Sequence, residues 1–152
     1  MIDIRPLEFE HLELLTEPVT EPGLVAMIED KKAYWQNLIN TGTAFSAFSD
    51  GEFLGCAGYA MPWPGVAEVW LWAMPEVKKI PVSLTKLLLR ALKHIEKERR
   101  VHRISAEVRV GNTRAQRWVS IMGFVYEGTM KKRGPDGSDF MLYARVRAQC
   151  ST

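Results

Sequence analysis

Ile2 and Ile4 alternate with Asp3 and Arg5, which predicts a short strand over residues 2–6 with both isoleucines on one face. A short helix is expected over 8–15. The segment Glu17-Pro18-Val19-Thr20-Glu21-Pro22-Gly23 has the composition of a loop. From Leu24 to Asn40 the apolar residues Leu24, Met27, Ile28, Tyr34, Trp35, Leu38 and Ile39 recur at helical spacing, which predicts one helix stopped near Gly42. Two strands follow, over 44–48 and 53–61, joined by Ser49-Asp50-Gly51-Glu52. Asp-Gly between apolar runs is a hairpin signal.

Pro62-Trp63-Pro64-Gly65 reads as a loop into a strand over 67–74 that Pro75 ends. Lys78 to Ser83 reads as a connection. Residues 84–99 form the clearest helix: Leu84, Leu88, Ala91, Leu92 and Ile95 make its buried stripe, and Lys86, Arg90, Lys93 and Lys97 its wet face. His102 to Val110 alternates as a strand. Asn112 suits the N-cap of a helix through Met122, and Gly123 the left-handed position after it, with Phe124 packing back. Strands near 124–131 and 139–147, with a turn over 134–137, close the chain. This order predicts a mixed α/β (α+β) fold: one twisted mixed sheet of about six to seven strands flanked by helices. Without a repeat or a linker, residues 1–152 are read as a single domain.

Composition narrows the classes. The 152 residues are 47% hydrophobic and 25% charged, the balance of a folded chain rather than a disordered or collagen-like one. Twenty Lys and Arg against 18 Asp and Glu leave a formal charge of +2, which argues against a nucleic-acid partner. Cys56 and Cys150 lie far apart without metal-ligand spacing, so neither a disulfide scaffold nor a metal site is expected. Cys56 reads as a buried strand thiol. The opening Met-Ile-Asp-Ile-Arg-Pro lacks the basic and apolar regions of a signal peptide. No apolar run approaches the roughly 18 residues a bilayer span needs. The expectation is a cytoplasmic protein with no membrane partner.

The C-terminal half carries informative spacing: Val110-Gly111-Asn112, Ala115, Met122-Gly123-Phe124-Val125-Tyr126-Glu127-Gly128, then Asp139-Phe140-Met141-Leu142-Tyr143-Ala144-Arg145. This pattern resembles the GNAT superfamily of acetyl-CoA-dependent N-acetyltransferases. In that family a strand, an Asn, a small residue three positions on, Gly-Phe at a helix end, Glu-Gly and a final strand follow one another. With the preceding strand, loop and helix, the likeness runs from about Ala67 to Val146. It is most similar to the branch acetylating ribosomal-protein N-termini and small amines. It is also similar to short acetyltransferase-like proteins of tailed phages, where Val-Gly-Asn-Thr recurs. The resemblance implies a GNAT-like domain in which the strand over 67–74 splays from the one beginning at His102. The pantetheine arm of acetyl-CoA, the co-substrate, would enter there and pair with backbone near Trp72, Ala73 and Met74.

A pyrophosphate needs backbone N–H groups aimed at an anion, and a loop feeding a helix start supplies them. The resemblance puts that role on Lys79, Ile80, Val82, Ser83, Leu84 and Thr85, and a pantetheine contact on Asn112. It lays the family's Arg/Gln-x-x-Gly-x-Gly/Ala signature over Ile80, Ser83 and Thr85, none of which keeps the signature residue. Ser83 and Thr85 offer hydroxyls, and Lys78 and Lys79 offer charge. Pro81, by contrast, removes an amide donor, and Ser83 permits less close approach than glycine. The same residues also suit a plain helix start, with Pro81 in the first turn or Ser83 as cap, and Asn112 also suits a plain N-cap.

Acetyl transfer needs a neutral amine. A lysine amine of pKa ~10.4 is neutral in about one part per thousand near pH 7.4, a cost of roughly 4 kcal/mol, whereas an α-amine of pKa ~8 carries under about 1 kcal/mol of that cost. Glu68 is the candidate base: Trp70 and Trp72 share its face, and apolar neighbours on both sides promise an enclosed carboxylate. The alternative is an exposed Glu at a strand start. Glu107, on the face of Arg109, reads as an ion pair. The family often places a leaving-group acid where this chain has Val119. Ser120, Tyr126 and Tyr143 lie nearby, and Tyr126 is the candidate acid. A thiolate leaving group of pKa ~8.5 can also depart unaided. Two readings result. One is an N-acyltransferase moving acetyl from acetyl-CoA to a primary amine (protein N-terminus, lysine or small molecule) by direct attack. The other is a catalytically degenerate binding or structural protein on the same fold, such as a phage accessory protein. Either is compatible with a homodimer.

Overall fold

The computed structural model describes residues 1–20 and 23–147; Glu21, Pro22 and Cys150, used above, lie outside the described residues. Seven strands are present: β1 (Ile2–Pro6), β2 (Thr43–Ser49), β3 (Glu52–Trp63), β4 (Val66–Ala73), β5 (Arg103–Arg109), β6 (Val125–Met130) and β7 (Phe140–Val146). The helices are α1 (Phe9–Leu12), α2 (Leu24–Met27), α3 (Lys31–Asn40), α4 (Pro81–Glu98) and α5 (Thr113–Ile121), with a 3-10 turn over Pro75–Lys79. One mixed sheet runs in the order β1-β2-β3-β4-β5-β7-β6, the α/β architecture expected from the element order. Packing divides the chain into two units, Met1–Ala60 with Trp70–Ile80, and Met61–Val69 with the chain from Pro81.

In the first unit β1, β2 and β3 are antiparallel neighbours. Asp50 (φ 50°) and Gly51 (φ 80°) are both left-handed, as a two-residue hairpin turn between twisted strands requires. Leu12, Leu15, Trp35, Phe48, Leu54, Cys56 and Trp72 are buried. Trp35 of α3 meets Trp72 edge to face at 6.1 Å. Ser46, 1% exposed, lies 2.8 Å from His11 Nδ1. That nitrogen also accepts the Glu8 N–H at 3.1 Å, so the serine hydroxyl is the donor.

The single helix expected over 24–40 is two. Ile28 turns extended (ψ 112°) after α2, and the Asp30 carboxylate accepts the Ala33 N–H at 3.0 Å, capping α3. A satisfied cap outweighs continuing the apolar stripe, and Met27 and Tyr34 of that stripe are exposed.

In the second unit β4 pairs parallel to β5, and β7 runs antiparallel between β5 and β6. The expected loop over 62–65 shrinks to Pro64-Gly65, since β3 runs through Trp63. The Gly65 carbonyl accepts the His102 and Arg103 N–H groups. Helix α4 begins at Pro81, three residues before the expected Leu84. Proline has the φ a first helical residue needs and lacks only an N–H that would be unpaired there. Leu84, Leu92 and Ile95 are buried, whereas Ala91 of the expected stripe is exposed. Asn112 caps α5 by accepting the Ala115 N–H at 3.1 Å. Gly123 is left-handed (φ 90°), and the Phe124 N–H returns to the Val119 carbonyl, as expected.

Among the described residues no helix is long and apolar enough to cross a membrane. No group of three His, Cys, Asp or Glu is placed to hold a metal ion among them.

Candidate active site

The candidate residues lie on β4, on the 3-10 turn, on the first turn of α4, at the start of α5 and, for Tyr126, on β6. The β4–β5 ladder consists of Val66↔Arg103, Ala67↔Ile104 and Glu68↔Ser105. β4 continues to Ala73 and β5 to Arg109.

Neighbouring residues of a strand send their N–H and C=O groups to opposite edges. The Met74 N–H donates to the Leu54 carbonyl of β3 at 2.8 Å. The Trp72 carbonyl also faces β3, so close that a side chain on Gly55 would lie 2.2 Å from it. Only Ala73 of the three expected pantetheine contacts therefore sends its polar groups to the other edge. Both are engaged: the Ala73 N–H donates to Thr20 Oγ1 at 3.2 Å, and its carbonyl accepts the Val19 N–H at 2.7 Å.

Beyond β4, the exposed Lys79 ammonium lies 3.9 Å from Glu52, a loose pair worth little in water. Lys78 is exposed, and Ile80 closes the 3-10 turn with its N–H on the Val77 carbonyl. One carboxylate oxygen of Glu76 is buried without a hydrogen-bond partner. At the start of α4, Val82 and Ser83 are exposed and Leu84 is buried. The N–H groups of this turn have no intrahelical partner and sit at the positive end of an 18-residue helix. The Thr85 hydroxyl is already used within the protein. It donates to the Pro81 carbonyl at 2.7 Å and accepts the Trp118 indole N–H at 2.8 Å, tying α4 to α5.

The remaining candidates stand differently from their sequence-based surroundings. Glu68 is exposed, so the apolar enclosure expected for it is not found. Trp72, on its face of β4, is buried against Trp35 instead. Tyr126 is half exposed, its hydroxyl 2.7 Å from Thr129 Oγ1 and its ring edge-on to Tyr143. Glu107 pairs with Arg133 at 3.2 Å, not with Arg109, which pairs with Asp136 at 2.6 Å. Val119 is buried.

Sequence reasoning missed three further polar clusters. Arg103 grips both oxygens of Glu127 at 2.6 and 3.0 Å. These hydrogen bonds lower the Glu127 pKa and raise that of Arg103. Glu127 is the extra residue where the β6–β7 register shifts between Tyr126 and Gly128. Hydrogen bonds from Ser138, and then the Arg109 charge, hold Asp136 below its ordinary value; the Lys132 N–H, then Lys131, do the same for Asp139. Arg145 donates to Glu96 at 2.6 Å and to the Met122 carbonyl at 2.7 Å, closing the end of α5 onto α4. The Glu-Gly pair was visible in sequence, but its arginine partner lies 24 residues away.

The chain matches the Acetyltransferase (GNAT) family over residues 9–124. It belongs to that family. A GNAT-family acetyltransferase from Bacillus anthracis is similar in structure, with 23% identity, a TM-score of 0.72, and 95% of this chain and 94% of that one covered. A point mutant of the spermidine N-acetyltransferase from Vibrio cholerae gives 19% identity, a TM-score of 0.69, and 95% and 94% coverage. A protein described as a "putative phosphinothricin N-acetyltransferase" gives 16% identity, a TM-score of 0.75, and 98% and 100% coverage. At these identities the likeness is one of fold. No curated protein matches the sequence. The GNAT match spans the β4–α4 segment and the Asn112 cap and ends two residues before Tyr126.

Proposed function

We propose that this GNAT-family chain is a cytoplasmic N-acetyltransferase that moves acetyl from acetyl-CoA to a primary amine by direct attack. The observation that carries the reading is the segment from Glu68 to Thr85, within the family match. There a strand with a three-pair parallel ladder leads through a short turn into a long helix with an exposed first turn.

The fit to coenzyme A is uneven along this segment. At the first turn of α4 the residues suit a pyrophosphate: the N–H groups of Val82, Ser83 and Leu84, the Ser83 hydroxyl, and the charge of Lys78 and Lys79 beside Ile80. Thr85 supports this turn from within, through Pro81 and Trp118. Along β4 the fit is poorer: Trp72 and Met74 hold the strand to β3, and the Ala73 groups that an amide-bearing arm would use are taken by Val19 and Thr20; Asn112 sets the α5 start. Bound acetyl-CoA supplies the activated thioester. The chain orients it, and backbone N–H groups polarise its carbonyl. Glu68 takes the proton from the attacking amine, directly or through water, and Tyr126 returns one to the leaving thiolate.

The acceptor class follows from proton cost: an α-amine or another low-pKa amine demands least of an exposed carboxylate. The spermidine and phosphinothricin names among the structural neighbours keep small amines in the panel. Titration calorimetry with acetyl-CoA, followed by thiol release against peptide N-termini, spermidine and amino acids, tests the reading. Micromolar binding with turnover on one class is expected, and Glu68→Gln lowers kcat about 100-fold through loss of the base. Absence of acetyl-CoA binding at millimolar concentration refutes it.

A second reading is favoured by one observation, the engagement of both Ala73 polar groups by the chain itself. In it the protein is a catalytically degenerate binding or structural member of the family, in line with the phage-like Val-Gly-Asn-Thr run. Absence of acetyl-CoA binding at millimolar concentration would favour its structural form, and tight binding without turnover on any amine its binding form.

A further inference from the structure

The segment Pro18-Val19-Thr20 lies on the strand edge that the proposed co-substrate needs. The Val19 N–H and Thr20 hydroxyl meet the C=O and N–H of one residue, Ala73. A single residue offering both groups to one neighbour is how a strand accepts an added extended chain, and it is also how it would accept the amides of pantetheine. Met74, the next residue, is committed to β3. Trp72 also faces β3, so the next main-chain groups on the Ala73 edge are those of Leu71, two residues back, and the strap blocks the end of that edge at Ala73.

The segment is held at both ends. Pro18 is fully buried and Leu15 is buried before it. After it, Gly23 takes a left-handed φ of 84°, and Leu24 and Val25 are buried at the start of α2. Val19 and Thr20 themselves are only half-buried. The anchors resist movement while the two residues on Ala73 have little apolar surface to lose on leaving it.

We infer that Pro18–Thr20 is an intramolecular strap that occupies the Ala73 edge of β4 and must leave it before an acyl-CoA thioester can pair there, so that the strap sets the apparent affinity for coenzyme A. The inference rests on the coenzyme A reading above. If only a fraction of molecules has the strap released, the apparent dissociation constant exceeds the intrinsic one by the inverse of that fraction. Loss of either strap contact raises the released fraction, so binding tightens when native contacts are removed. That sign is opposite to what loss of an ordinary supporting loop produces.

Coenzyme A and acetyl-CoA binding are measured by titration calorimetry for the native chain, for Thr20→Val, which keeps the shape and removes the hydroxyl, and for Val19→Pro, which removes the N–H. Both variants are checked for folding by circular dichroism. Hydrogen exchange at the Val19 amide is followed with and without saturating coenzyme A. The expected result is a dissociation constant about tenfold lower in either variant, a change of ~1.4 kcal/mol. Val19 exchange is also expected to speed up in the native chain when coenzyme A binds. If Val19→Pro fails to fold, Thr20→Val and the exchange measurement decide. Binding by the native chain with equal or weaker binding by folded variants, or slower Val19 exchange on saturation, overturns the strap and leaves the coenzyme reading standing. No binding by the native chain or either variant at millimolar coenzyme A overturns both.

Discussion

Replacing Thr85 with valine separates two roles for the start of α4. The resemblance makes this residue a pyrophosphate contact; the structure occupies its hydroxyl with the Pro81 carbonyl and the Trp118 indole. Valine keeps the branched shape. The Pro81 carbonyl keeps the main-chain N–H four residues on, so its loss is small. The indole N–H loses its partner in a half-buried position. A lost neutral hydrogen bond costs about 1 kcal/mol, and a poorly rehydrated donor adds up to about 1 more. The expected destabilisation is therefore ~1–2 kcal/mol, which for a chain of this length lowers the melting midpoint by roughly 2–8 °C. Thermal and urea unfolding of Thr85→Val, Trp118→Phe and the double variant complete the cycle, with an expected coupling of about 1 kcal/mol. Acetyl-CoA affinity should stay within about threefold of native, because no exposed donor is removed. An unchanged stability without coupling, or a tenfold weaker affinity at unchanged stability, would refute the assignment and restore Thr85 to the cofactor.

Other outcomes follow from the same contacts. Arg145→Met removes the partner of the largely buried Glu96 and a donor to Met122; a loss of ~2–4 kcal/mol is expected by urea unfolding, with Glu96→Gln/Arg145→Met recovering part of it. Glu127, Asp136 and Asp139 are held below their ordinary 4.5, 3.8 and 3.8. Lowered carboxylate pKa values add stability above the unfolded values that is lost as pH falls through the folded ones. Unfolding midpoints should therefore drop below about pH 4.5, and Glu127→Gln should flatten that slope. Burial pushes the Cys56 thiol up to about 12, so its peptide should resist iodoacetamide at pH 8 until denaturant is added. Rapid native labelling would contradict that.

The fold was legible because its signals are local. Asp50-Gly51, Asn112 and Gly123 each do in the structure what their chemistry demands of a turn, a cap and a helix end. The break at Asp30 was hidden by an apolar stripe that continues across it, and periodicity does not register a cap. Pro81 suits both a connection and a first turn in sequence, and the structure takes the first turn, where proline is at home. The candidate site was less legible. Alternation placed Glu68, Trp70 and Trp72 on one face, but a face does not fix depth: Trp72 is buried and Glu68 is not. The Val19 contact on Ala73 joins two main-chain groups, and the Thr20 hydroxyl takes the Ala73 N–H from 53 residues away. Main-chain groups are common to every residue type, so such pairing leaves no mark on composition or spacing. The Trp118 indole and Thr85 hydroxyl, 33 residues apart, become neighbours only once α4 and α5 pack.

A sheet that does not close has two raw margins, and each is a template for a neighbouring molecule's backbone. On one flank, β1 carries the Asp3–Arg5 pair and a proline that cannot donate. On the other, the irregularity at Glu127 kinks β6 while Arg103 clamps the displaced residue. Both flanks are thus spoiled as docking rails, and ribbon-like growth of one copy upon the next is disfavoured from either side.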